Sequence, residues 1–129
     1  MRPAVCGLVA VLVAALPTAC DEPAAPRAGV VEVHLTCETG KPDAPCAFAP
    51  AAVTIRVGDA VRWINDDATY HTVTSSDRLD LRVPNGRFDA VLDAAGERFT
   101  YTFGTPGSYA YYCQPHAEFM AGTVRVIAG

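Results

Sequence analysis

The chain has 129 residues, enough for one domain, half of them apolar, with a net charge of −4. That balance excludes a disordered tail. Ten basic residues, scattered and with Lys41 the sole Lys, exclude a nucleic-acid-binding surface.

The first element is an export signal. Met1-Arg2 gives a positive start, Ala4 to Leu16 is an uncharged apolar run, and Pro17-Thr18-Ala19 adds a turn-former and small residues. The run falls short of the roughly 20 residues that span a bilayer. Leu16-Pro17-Thr18-Ala19-Cys20 resembles a bacterial lipobox, with Pro17 where Leu is usual. The resemblance implies a lipidated Cys20, and an ordinary signal cleaved nearby is the alternative. Residues 1–20 are therefore expected to be a signal of lipoprotein type, 21–29 a Pro/Ala-rich tether, and 30–129 the folded domain.

Short β-type runs follow, separated by Gly, Pro and Asp. Val31 to Thr36 alternates apolar and polar residues, as do Val53, Ile55 and Val57 with Thr54 and Arg56. Gly58-Asp59 turns the chain into Val61-Arg62-Trp63-Ile64. His71-Thr72-Val73-Thr74 begins a β run after the Asp66-Asp67 turn. Residues 77–97 are irregular, with a turn at Pro84-Asn85-Gly86. Phe99, Tyr101 and Phe103 alternate with Thr100 and Thr102. Tyr109 and Tyr111 share a face with Cys113, and Tyr112 alternates away from the core. Val124 and Ile127 lie in a last strand. No amphipathic helix of useful length is visible, and the pattern fits an antiparallel sandwich or barrel.

Five Cys are present. Cys6 leaves with the signal and Cys20 is the anchor candidate. Cys37 and Cys46, nine positions apart across a turn-rich stretch, form a candidate disulfide in an oxidising compartment. Cys113 is left as the odd thiol, a liability there unless something occupies it.

Tyr112-Cys113-Gln114-Pro115-His116-Ala117-Glu118-Phe119-Met120-Ala121-Gly122 brings a thiolate, an imidazole and a thioether within eight residues. Thiolate and thioether are soft donors that suit Cu(I), and imidazole suits both oxidation states. A trigonal Cys-plus-two-His site with a long axial Met needs a second His. Of the three in the chain, His71 stands at a strand end, whereas His34, between Val33 and Leu35, faces solvent. Zinc also takes Cys and His, but the thioether argues for copper.

Phe48-Ala49-Pro50, Val57 to Trp63, His71-Thr72-Val73, and Gly107-Ser108-Tyr109 through Val126 resemble the small cupredoxins, plastocyanin, amicyanin and pseudoazurin. The resemblance covers about residues 30–129. It implies an all-β Greek-key sandwich of about eight strands and one type 1 copper per chain, held by His71, Cys113, His116 and Met120. Three residues separate His116 from Met120, between the spacings of amicyanin and plastocyanin, and Glu118 inside that loop is an alternative axial donor. Thr72 stands where several relatives carry Asn, which leaves the hydrogen bonding around Cys113 open.

The function expected is one-electron transfer outside the cytoplasm, by a monomer in the periplasm or on the cell surface, anchored through Cys20. Its expected partners are c-type cytochromes or copper or haem oxidoreductases. Pro115, Ala117 and Phe119 would form an apolar docking patch around His116, and Tyr112 a second docking surface. A copper-carrying lipoprotein and a Glu-ligated catalytic copper are the alternatives. Multicopper oxidases need more His than the three present, and binuclear copper domains need a second Cys near the metal, so no enzyme is expected.

Overall fold

The computed structural model describes residues 27–38, 45–80, 82–116 and 120–129. Within them the period-two patterns become β1 (Val30–Cys37), β2 (Cys46–Ala49), β3 (Ala52–Arg56), β4 (Ala60–Asn65), β5 (His71–Ser76), β6 (Asp89–Leu92), β7 (Arg98–Thr102), β8 (Gly107–Tyr112) and β9 (Ala121–Ile127). Two sheets result, ordered β2-β1-β4-β7 and β3-β9-β8-β5-β6. β1 runs parallel to β4 and β3 to β9, and the other pairs are antiparallel. The all-β sandwich holds, with nine strands rather than about eight. The signal, Cys20 and most of the tether lie outside the described residues. Gly29, the last residue of the expected tether, donates its N–H to Asp59 Oδ1 at 2.7 Å.

The inward positions supply the core. Val33 and Leu35 of β1, Val61 and Trp63 of β4, Val73 of β5, Tyr111 of β8 and Val124 of β9 are fully buried in one cluster. Trp63 and Phe48 each meet Tyr111 edge-on, at centroid distances of 5.2 and 4.7 Å. Such pairs add about 0.5–1.5 kcal/mol beyond their burial.

β5 departs from simple alternation, because all six of its residues are buried. Residues 82–88 and β6 cover its outer face. Burying the whole strand costs little because its hydroxyls have partners: Thr74 donates to Asp89 at 2.8 Å, Ser75 to the Phe88 carbonyl at 2.9 Å, and Ser76 to the Val83 carbonyl at 2.6 Å. The same cover corrects the reading of Tyr112. Its side chain does point away from the core, but it is buried, and its hydroxyl donates to the Arg82 carbonyl at 2.9 Å. It is therefore not an exposed docking surface.

Gly122 also has a role that the sequence did not show. It sits in β9 opposite Tyr111, and a Cβ there would overlap the Tyr111 ring and hydroxyl. The absence of a side chain at Gly122 leaves room for the Tyr111 ring against the strand. Burial pushes the Tyr111 phenol up to about 12.

Candidate metal centre

Two adjacent strands bring the site together. β5 and β8 pair antiparallel, with Thr74 opposite Tyr112. Cys113 follows the end of β8 and His71 is the first residue of β5, so the thiol and the imidazole meet at the same end of the sandwich. The loop after Cys113 folds back through three backbone bonds. The His116 N–H donates to the Cys113 carbonyl at 3.2 Å, the Met120 N–H to the His116 carbonyl at 3.0 Å, and the Cys113 N–H to the Met120 carbonyl at 3.0 Å. This closure places Met120, fully buried, beside Cys113 in the chain's path.

The distances favour a single ion. Cys113 Sγ lies 3.8 Å from His71 Nδ1 and 3.5 Å from His116 Nδ1. A metal bonded to sulfur near 2.3 Å and to nitrogen near 2.0 Å, at tetrahedral to trigonal angles, separates such donors by about 3.5–3.8 Å. Both imidazoles approach through the same nitrogen, so one soft thiolate and two imidazoles converge on one point. That donor set, with a buried thioether near by, suits copper. Cys37 and Cys46 also come within 4.8 Å of His116, but they are joined to each other in a disulfide across β1 and β2, their Cα atoms 4.0 Å apart. Among the described residues Cys113 is the free cysteine.

The surroundings tune these donors. Burial pushes the Cys113 thiol up, opposed by the amides of Thr72 and His116. The Thr72 N–H points at Sγ from 3.4 Å, so the backbone of residue 72 serves the sulfur whatever side chain it carries. Its own hydroxyl accepts the Gln114 N–H at 2.8 Å and ties the loop to β5. The departure at Thr72 therefore leaves the sulfur with an N–H contact. Burial lowers His71, partly offset by Asp67, which favours the neutral imidazole that a metal needs. His116 is half-buried.

Two residues that organise the site were missed in the sequence. Asn65, fully buried, donates its side-chain amide to the carbonyls of Thr69 and Leu92 at 2.9 and 3.0 Å and accepts the Asp67 N–H at 3.1 Å. It fixes the turn that delivers His71. Asp67 lies four residues before His71, with Oδ1 3.3 Å from Nε2. A buried polar residue ending an apolar strand was the available signal for Asn65. His34 pairs instead with Asp66 at 2.8 Å on the exposed side, outside the site. Ala117, Glu118 and Phe119 lie outside the described residues, and with them the alternative axial donor and most of the expected docking patch.

The chain is similar to known copper proteins. Residues 35–127 match the family described as copper binding proteins, plastocyanin/azurin family. The chain is 31% identical over 99 residues to plastocyanin from Scenedesmus fuscus, covering 71% of this chain and 98% of that one. It is 36% identical over 106 residues to chloroplastic plastocyanin from Tetradesmus obliquus, covering 77% and 68%. The structure of a novel purple cupredoxin from Nitrosopumilus maritimus superposes with a TM-score of 0.61 at 27% identity, covering 75% of this chain and 99% of that one.

Proposed function

This chain belongs to the plastocyanin/azurin family of copper-binding proteins, and from that premise we propose that it carries single electrons on one type 1 copper held by His71, Cys113, His116 and Met120. The observation that carries the ligand assignment is the convergence of Cys113 Sγ with both Nδ1 atoms at 3.5–3.8 Å. When bound, copper supplies a one-electron couple between Cu(II) and Cu(I). The residues keep that change cheap by staying where they are. His71 is buried at a strand start, Cys113 is tied to Met120 through the backbone, and Gln114 is bonded to Thr72 and Thr74. A site that does not rearrange needs little reorganisation energy when the charge changes.

His116, the half-buried imidazole, is the exit for the electron, and Pro115 beside it is exposed for docking. The partners are redox proteins such as c-type cytochromes or copper or haem oxidoreductases. The chain acts as a carrier and not as an enzyme, and as a monomer. The Cys37–Cys46 disulfide supports work in an oxidising compartment. A signal over residues 1–20 would export the chain, and a lipidated Cys20 would hold the domain at the membrane by the 21–29 tether, in the periplasm or at the cell surface.

Adding Cu(II) to the purified domain tests the ligand assignment. The expected product is intensely blue, with a narrow copper hyperfine splitting in its EPR spectrum. Cys113→Ser should bind copper without the blue colour. A pale wild-type product, or a variant as blue as the wild type, overturns the assignment.

A further inference from the structure

His71 presents one nitrogen to Cys113, and its other nitrogen faces the Asp67 carboxylate. Asp67 Oδ1 stands 3.3 Å from His71 Nε2, with the imidazole side chain fully buried and the carboxylate 19% exposed. The carboxylate is itself held from two further sides. Its Oδ1 accepts the Thr69 N–H at 2.7 Å, and its Oδ2 accepts the Cys37 N–H at 2.8 Å. Cys37 is bridged to Cys46, and its sulfur lies 3.7 Å from the same His71 Nε2. One carboxylate thus joins the turn before β5, the disulfide end of β1 and the outer edge of the buried imidazole.

We propose that Asp67 is the positioning residue of the copper site, accepting the Nε2 proton of His71 so that Nδ1 is the metal-facing nitrogen and setting the balance between Cu(II) and Cu(I). The proposal rests on the ligand assignment made above. An imidazole that binds metal through Nδ1 carries its proton on Nε2, and a carboxylate accepting that proton fixes the ring's tautomer and rotation. It also makes the imidazole a stronger donor, which favours the more highly charged ion. Partners of this kind change metal affinity by about 10–100-fold when removed. The adjacent Asp66 is an internal control. It has the same charge one residue away, but it pairs with His34 on the exposed side.

The test compares copper-loaded wild type with Asp67→Asn and Asp66→Asn. Asp67→Asn keeps the shape and an oxygen for the Thr69 N–H, and should stay blue. It should lose about tenfold more affinity for Cu(II) than for Cu(I), a rise in potential of about 59 mV for one electron. Asp66→Asn should leave the potential where it was. Equal shifts in both variants, or none in Asp67→Asn, overturn the proposal while a blue wild type leaves the ligand assignment standing. A wild type that never turns blue overturns both. Nitrogen-15 NMR of the reduced wild type gives a check that needs no variant. It should show a slowly exchanging proton on His71 Nε2, and a proton on Nδ1 instead would contradict the assignment of roles.

Discussion

The two imidazoles of the site offer the same atom to the same sulfur from opposite surroundings. His71 is fully buried, begins a strand buried along its whole length, and has a carboxylate on its far nitrogen. His116 is half-buried, in a loop closed on itself by short-range backbone bonds. The first arrangement draws on β1, β5 and the disulfide, which are distant in sequence, and it can hold a ring still. The second is held by the backbone of its own loop, with the disulfide sulfurs near it, and it can bring a metal edge to the surface. One side of the metal is therefore built as an anchor and the other as a contact.

Truncation should expose this asymmetry most strongly. In the copper-free protein, His71→Ala empties a fully buried position and should cost about 2–4 kcal/mol. His116→Ala should cost less than about 1 kcal/mol, near what partly exposed sites lose. Urea unfolding of the two variants checks this, and equal losses would remove the distinction between anchor and contact.

A smaller effect sharpens the contact side. The loop after Cys113 returns into β9, where Gly122 accommodates the Tyr111 ring. Gly122→Ala should force the ring or the strand to shift and cost about 1–3 kcal/mol. The blue band of the loaded variant should move as well, because Tyr111 lies two residues before Cys113. A stability loss with an unmoved band would show that the loop holds its ligands without β9.

The smallest effect belongs far from the metal. Asp59 accepts N–H bonds from Arg56 and Gly29, which hold its carboxyl below the usual range in the folded chain. A depressed folded-state value means that its stabilisation is present above the unfolded pKa, about 3.9, and is lost as pH falls through the folded one. Wild type should exceed Asp59→Asn in stability at pH 7, and the gap should narrow as pH drops below about 4. Denaturant titrations at pH 7 and pH 3 measure it. Copper spectra should not distinguish the two proteins.

The contact side was legible in the sequence because it is one string, and Cys113, His116 and Met120 could be read together. The anchor side was only half legible. His71 could be found as one of three His standing at a strand end, but nothing local said that Asp67 would meet it and Asp66 would meet His34. That choice depends on how Asn65 shapes the turn, through bonds reaching Leu92. The alternating strands were readable for the same reason that Trp63 and Val61 are buried: one face of each is apolar. β6 was not, since Asp89 and a four-residue length hide its pattern. Tyr112 misled because alternation gives a side chain's direction and not what covers it, and here the cover is the irregular stretch over 82–88.

The most direct test of the central claim is a redox titration of the copper-loaded protein, followed by its visible band. If a single Cys113-bound copper carries the electron, one electron equivalent per chain should bleach the blue colour, and reoxidation should restore it fully. An uptake of two or more equivalents with opening of the Cys37–Cys46 bridge, or a colour indifferent to the reductant, would contradict it.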